Sequence, residues 1–529
     1  VEGPAYSPDP LPGYERYRAA DHLTMTDARS ALVVLSAARE ESRRRASAAL
    51  SWLGARSINS LDGRDDDAYV AVERLPQFGI TESPWNDPFH VYGGEMPLFR
   101  RRTSQVWSMR ADLAWGAPSG NVAGVGMGAS YEDVELREFD GSLWGTGYDS
   151  LRVFHAYAPG GYAYAQGRWQ REGMVVNAGV RLQYFTAGPQ ASDQTLGIEP
   201  KAFWSLAPRL GFAFPISDRD VASFAYLRVD QPPPRDFLYD QRRKISNRRP
   251  LGNPGLEPST VVSYQAALKH LFDEHWALQA GVFYRDLFGQ IGARPYQSAP
   301  LAVAQYRYEN ADEGHATGFE LSVLRTSGET SRFEVHYTLM RALGTMSQEE
   351  GVPYGPLRGP LPVPIGEHPL DWDRRQTLAL SGQWQQPGTW SVAWSTVVGS
   401  PLPWTPRERR QLQVDLDPIN SRRLKWMETT DLSARWRPPW IGGRITYGLE
   451  VRNLFDHRGE IATTVDGYPN PLINTFFDDY GAYRTETGQS GGAYWNDRDG
   501  DGVPGWIFVG DPRLYQPPRA VRLSLGTRW

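Results

Sequence analysis

The chain has no cysteine, which excludes a disulfide framework and any thiolate metal site. It has only four lysines, Lys201, Lys244, Lys269 and Lys425, so nearly all of its 56 cationic side chains are arginines. Cations do not exceed anions. With 61 acidic residues the net charge is −5, and the basic footprint of a nucleic-acid binder is missing. Long apolar runs are missing too. No stretch approaches the roughly 20 residues that a membrane helix needs, and the mean hydropathy is −0.51. No HExxH, GxSxG or phosphate-loop pattern occurs, which removes the commonest hydrolase and nucleotide readings. No signal peptide pattern is present and Val1 is not a start methionine, so the sequence reads as a mature form or a fragment.

What is present is alternation. In the last segment Val521, Leu523, Leu525, Thr527 and Trp529 share one face of an extended strand, and Arg522, Ser524, Gly526 and Arg528 share the other. A period of two marks a strand between two different environments. The same rhythm runs through Met174–Tyr184, Trp276–Arg285 and Ile445–Arg452. About 17 such strands are legible, beginning near residues 21, 43, 103, 121, 153, 173, 202, 220, 259, 275, 307, 330, 374, 388, 428, 443 and 519. Their connections alternate in length. Short ones lie near 41, 119, 172, 218, 273, 328, 387 and 440, and long ones cover about 64–102, 141–152, 188–201, 232–258, 288–306, 345–373, 404–427 and 458–518. Short turns at one rim and long loops at the other predict an all-β fold, a large antiparallel transmembrane β-barrel in the bacterial outer membrane. Lumen-facing polar residues interrupt every lipid-facing run, which explains the low hydropathy. The 19 Trp and 26 Tyr fit aromatic girdles at the two interfaces. A closing strand that ends at the periplasmic rim places all eight long connections outside the cell.

Several segments resemble the barrel half of TonB-dependent outer-membrane receptors, especially large ones with a carboxypeptidase-regulatory-like domain before the plug. They are Tyr164-Ala-Gln-Gly-Arg-Trp169, Gly173–Arg181, Pro208–Ile216, Gly252-Asn-Pro-Gly-Leu-Glu-Pro258 with Tyr264, and Tyr308-Glu-Asn310 leading to Gly314, Gly318, Phe319 and Glu320. Leu370-Asp-Trp-Asp-Arg374 and Glu450-Val-Arg-Asn-Leu-Phe-Asp456 complete the series. The resemblance covers roughly residues 150–529. It implies TonB-energised import of a bulky nutrient (siderophore, oligosaccharide or peptide) through a plugged barrel of about 22 strands. It also implies that Trp529 is the signal read by the barrel-assembly machinery. The plug and its energy-coupling box are not among these residues. The expectation is that a separate N-terminal piece supplies the plug and the first strands, and that TonB acts through it. On this reading 1–20 is an extracellular loop segment rich in proline, with Val1 following a cleavage or split. Residues 21–529 form the barrel, with 458–518 the longest extracellular loop and 519–529 the closing strand. A rival reading is a non-transporting scaffold barrel that binds surface partners. A soluble all-β carbohydrate enzyme is a third, against which the loop rhythm argues.

Few residues carry chemistry. Asp497, Asp499 and Asp501, with Gly502, stand at the alternating positions of an oxygen-ligand Ca2+ loop. Phe508 occupies the place of the bidentate Glu, and Asp511 is a substitute ligand. An acidic solvated turn is the plainer alternative. Gly124-Val-Gly-Met-Gly128 imitates a dinucleotide loop, but Ser130-Tyr-Glu-Asp-Val-Glu-Leu136 continues as a strand, so the glycines are expected to smooth one strand face. Asp65–Asp67 and Asp478–Asp479 sit among polar loop residues with no partners for acid–base work, and no catalytic residue is assigned. Trp404, Trp426, Phe476, Phe477, Tyr480 and Trp495, with Trp85, Tyr494 and Trp506, either stack on a ligand in the loops or pack the loops together.

Overall fold

The computed structural model describes residues 16–18, 24–61, 90–92, 98–140, 152–189, 198–239, 250–296, 305–345, 354–355, 359–360, 366–404, 407–410, 413–416, 419–457, 459, 495–496, 505–506 and 516–527. One barrel sheet of eighteen strands contains all the long strands. Seventeen of them form the wall. They are β1 Thr24–Glu41, β2 Arg44–Leu61, β3 Leu98–Gly116, β4 Val122–Asp140, β5 Arg152–Arg171 and β6 Met174–Thr186. Then come β7 Ala202–Pro215, β8 Asp220–Gln231, β9 Ser259–Leu271, β10 Trp276–Tyr296, β11 Gln305–Ser327 and β12 Ser331–Gly344. The last are β13 Gln376–Gln386, β14 Trp390–Gly399, β15 Met427–Trp436, β16 Ile445–Arg452 and β17 Ala520–Thr527. The eighteenth, His368–Pro369, extends the ladder beside β12. All seventeen expected strands are present, each starting within a few residues of its expected place.

Every long strand pairs antiparallel with its sequence neighbour, from β1–β2 through β16–β17. The short connections therefore share one rim and the long ones the other. Because direct register partners face the same side, one assignment propagates round the wall. Val521 faces Val451 and Leu523 faces Leu449. Leu449 faces Ala434 and Val451 faces Leu432. Carried onward, this face collects Val282 and Phe319, Leu210 and Tyr226, Met109, Trp107 and Leu50. It is the lipid face. The opposite parity collects Arg522, Glu450, Ser433, Glu334, Glu320, Arg181, Tyr164 and Asp112, and faces the lumen. A break of register between Leu287 and Gln290 bulges β10 near the long-loop rim. Among the described residues no helix is long and apolar enough to span a membrane.

Aromatic rings border the lipid face at both heights. Toward the long loops, Trp52 lies 6.1 Å from Trp107, Tyr184 lies 4.9 Å from Trp204, and Tyr264 lies between Tyr226 and Tyr284 at 5.3 and 6.4 Å. Toward the short turns, Trp115, Trp169, Trp276, Trp384, Trp390 and Trp436 point outward and are exposed. An indole or phenol suits this depth because its ring is apolar and its N–H or O–H reaches water.

Candidate functional site

The lumen face of β3–β6 carries a polar surface of the bore. Gly124, Gly126 and Gly128 occupy successive inward positions of β4, and Gly126 and Gly128 lie opposite Tyr164 and Tyr162 of β5. A Cβ on Gly126 would stand 2.5 Å from the Tyr164 ring, and one on Gly128 2.7 Å from the Tyr162 ring. The glycines are a bed in which two phenols lie flat against the wall. The strand reading of this segment is correct, and the dinucleotide reading has no helix to stand on. The Tyr164 hydroxyl donates to Asp112 Oδ1 at 2.6 Å, and Arg110 Nε donates to Asp112 Oδ2 at 2.6 Å. The Arg181 guanidinium lies 3.7 Å above the Tyr162 ring, a cation–π contact. Bulk on Gly126 must lift the Tyr164 ring and strain its bond to Asp112. Gly126→Val should cost about 1–3 kcal/mol by overpacking, and adding Tyr164→Ala should recover only part of it, because Asp112 Oδ1 stands 2.6 Å from the same Cβ. Unfolding in denaturant of the two variants and the double variant checks this, and an additive pair would contradict it.

The mouth is shaped by a short helix, α1, Arg235–Tyr239. It follows Pro232–Pro234 in the long connection after β8. Its polar start is tied to the wall. Arg235 donates from Nε and Nη2 to Glu132 Oε2 at 3.0 and 2.8 Å, and Arg102 Nη2 donates to both oxygens of Asp236 at 3.2 and 3.0 Å. Its apolar end, Phe237-Leu238-Tyr239, is buried with Leu136, Phe154, Phe185, Leu256, Ile291 and Tyr308. The Phe237 ring lies tilted against Tyr308, with centroids 4.4 Å apart. The Tyr239 hydroxyl donates to the Ala187 carbonyl, and burial pushes its pKa up to about 12. A long-loop segment thus folds inward and roofs the bore over β4–β6.

The segments that carry the family resemblance act as clamps at the roots of long connections. Asn253 Nδ2 donates to the Tyr308 carbonyl at 2.8 Å, while its Oδ1 accepts from the Gly255 amide at 2.9 Å. Asn310 accepts from the Glu257 amide and donates to the carbonyls of Glu257 and Gly289, each at 2.8 Å. Asp373 is fully buried. It accepts from the Ala342 amide at 2.7 Å, Arg375 Nε at 2.8 Å and Arg423 Nη2 at 2.6 Å. Asn453, at φ +50, bonds the carbonyls of His457 and Pro517 at 2.9 Å. Asp456 Oδ1 accepts from the Arg519 amide at 2.9 Å, fixing the entry to β17.

The expected ligand and metal residues are not assembled by these elements. Trp426 is 50% exposed, and its carbonyl lies 3.2 Å from His457 Nε2. Trp404 and Trp495 lie in two-residue strands paired with Arg422 and Trp506, and their side chains fall outside the described residues. Phe476, Phe477, Tyr480, Asp497, Asp499, Asp501, Asp511 and Trp529 also lie outside the described residues, as do Trp85, Tyr494, Asp65–Asp67 and Asp478–Asp479. Among the described residues no three His, Asp or Glu groups converge on a metal position. Arg102, Asp112, Glu132, Tyr162, Arg181 and α1 were not foreseen as a site. Their one signal was an apolar triplet, Phe237–Tyr239, inside a loop.

The family model described as "TonB dependent receptor-like, beta-barrel" matches residues 5–454. Comparison with curated proteins found no match. Similar solved structures include the outer membrane transporter YddB from Escherichia coli, at 12% identity and TM-score 0.58, covering 83% of this chain and 60% of that one. A mutant of the ferric enterobactin receptor from Pseudomonas aeruginosa is similar at 14% identity and TM-score 0.58, covering 95% of this chain and 62% of that one. The ferric yersiniabactin uptake receptor FyuA from Yersinia pestis follows at 12% identity and TM-score 0.53, covering 83% and 59%. The chain spans about three fifths of the length of these structures, and at such identities they establish the fold. With the family model spanning most of its length, the chain belongs to the TonB-dependent receptor-like β-barrel family of the outer membrane.

Proposed function

We propose that this chain is the wall and outer mouth of a TonB-dependent transporter that binds a bulky nutrient and imports it. The observation that carries this reading is the bore itself. It is lined with Arg110, Asp112, Tyr162, Tyr164 and Arg181 beneath a mouth narrowed by α1. The cargo class is a siderophore, oligosaccharide or peptide. Trp404, Trp426, Phe476, Phe477, Tyr480 and Trp495 are the aromatic surfaces offered to it on the external loops. A plug supplied by another polypeptide piece occupies the lumen and couples it to TonB, and Trp529 addresses the chain to the assembly machinery. The test is uptake of labelled nutrients of the three classes by cells with and without this chain, each with and without TonB. Uptake of one class should fall to background in all three deficient strains. Undiminished uptake of all three classes without this chain would sink the reading.

The last external loop is proposed to hold a calcium ion through Asp497, Asp499, Asp501 and Asp511, with oxygens at about 2.3–2.6 Å. Calcium should protect 458–518 from proteolysis, and Asp499→Ala should remove the protection. Identical digestion patterns with calcium and with chelator would mean that the motif is only a turn.

A further inference from the structure

From β6 to β17 the short-turn half of the lipid face carries two basic side chains among the described residues, His270 and Arg325. His270 is matched, with its Nδ1 2.7 Å from Asp220 Oδ1. Arg325 is not. It lies on β11, flanked on both sides by other strands of the wall. Its register partners are Trp276 on β10 and Phe333 on β12. Its guanidinium carbon stands 5.4 Å from the centre of the Trp276 ring and 6.0 Å from that of Phe333. Arg325 is exposed, and among the described residues it makes no ion pair and no side-chain hydrogen bond. The rings around it are held in turn. Phe333 meets Trp384 edge-on at 4.6 Å. Gly382, opposite Phe333, lets the Trp394 indole close up beside them, since a Cβ there would stand 2.4 Å from Trp394 Nε1 and 3.2 Å from Phe333 Cδ1.

A cation turned toward lipid is tolerated best near the interface, where its head reaches polar groups. Arg325 lies at that depth, beside the exposed Trp276 and close to the exposed Trp384 of the short-turn ring row. The two flanking rings attract the cation and limit where the planar group can go. They leave its five N–H donors without an oxygen. What the site lacks is an anion at headgroup depth. A lipid phosphodiester is such an anion, and a guanidinium can meet two of its oxygens at once. The lipid-facing residues one step further into the membrane are Leu278, Val323 and Val335, an apolar bed for acyl chains. The short-turn rim faces the periplasm, so the lipid belongs to the periplasmic leaflet.

We propose that Arg325, between Trp276 and Phe333, binds the phosphodiester of one glycerophospholipid of the periplasmic leaflet, with its acyl chains on Leu278, Val323 and Val335. The aromatic pair sets this arginine apart from one that merely reaches past the interface to water. The wall thereby has a preferred lipid position on β10–β12, and the remaining short-turn ends from β6 to β17 offer no equivalent cation. The inference stands whether or not the barrel carries cargo.

The test uses the assembly extracted from cells and placed in nanodiscs with phosphatidylglycerol that bears a photoreactive group beside its phosphate. Cross-linked peptides are identified by mass spectrometry. In the unmodified protein the cross-links should gather at 274–278, 323–327 and 331–335 rather than spread round the rim. That distribution is read on its own, so the outcome does not rest on variants folding. Arg325→Gln should lower the yield at these peptides about tenfold, as the loss of a charge-assisted hydrogen bond implies. Arg325→Lys keeps the charge without the planar fork and should fall between. Cross-links distributed evenly over all the short-turn ends would overturn the proposal. An unchanged yield in an assembled Arg325→Gln protein would overturn it equally, because the arginine would then be serving only its own hydration.

Discussion

Leu523→Arg should keep most of the chain from assembling in the membrane, whereas Ser524→Arg, one residue away, should assemble almost normally. Leu523 lies on the lipid face opposite Leu449, and Ser524 lies on the lumen face opposite Gly448. An arginine facing lipid near the middle of a strand costs about 2–4 kcal/mol, while a lumen-facing one keeps its hydration. Such a cost is large beside the few kcal/mol by which folded domains are stable. The fraction running as folded protein on cold detergent gels, and spin-label contact with lipid or water at 521–525, both report the difference. Equal assembly of the two variants would mean that the parity carried round the wall is wrong.

The second large effect is expected at Asp373. Its carboxylate joins three separate stretches of chain, namely the β12 end through Ala342, the β13 start through Arg375 and the connection after β14 through Arg423. Asp373→Ala leaves the Ala342 amide and Arg375 Nε without this acceptor, while Arg423 keeps only its bonds to the carbonyls of residue 373 and Pro401. Removing one member of a buried ion pair costs about 3–5 kcal/mol. Because Arg375 and Arg423 are 38% and 29% exposed, solvent screens part of this, and the lower end is expected. Asp373→Asn keeps an acceptor for Ala342 and should fall between. The loss is local. Amide exchange at Ala342 and proteolysis of 345–373 and 404–427 should accelerate while β1–β9 stay protected. Unchanged exchange at Ala342 in Asp373→Ala would remove the clamp from this account.

These two sites differ in how far they can be read from sequence. The parity of Leu523 is legible because a strand between lipid and water writes its two environments at alternate residues, and a slip of one residue would invert them all. That is why seventeen strands and both sets of connections are visible in the letters. Asp373 is legible only as part of Leu370–Arg374, a segment that resembles a family. Its work depends on Arg423, 50 residues away, and no local pattern encodes such a distance. Gly126 and Gly128 show the same limit. The spacing identifies a strand face, but the phenols filling the space come from the facing strand. The five-residue helix at Arg235 is too short for a 3.6-residue period to register, so the inward fold of the mouth becomes visible only when Glu132 and Arg102 are placed beside it. The residues expected to meet ligand or calcium lie in long connections, where sequence variability and function are both greatest.

The two rows of aromatic rings also fix the thickness of membrane that the wall tolerates. On β3 they stand at Trp107 and Trp115. Eight residue steps at about 3.4 Å each, tilted by roughly 40°, give a rise of about 20 Å. A typical hydrocarbon core is about 30 Å thick. Surrounding lipid must therefore compress to meet the rings, at a modest elastic cost for each ångström of hydrophobic mismatch. A bilayer that is already thin, as the bacterial outer membrane is, lowers that cost, so the spacing of two tryptophans on one strand suits the wall to a thin membrane.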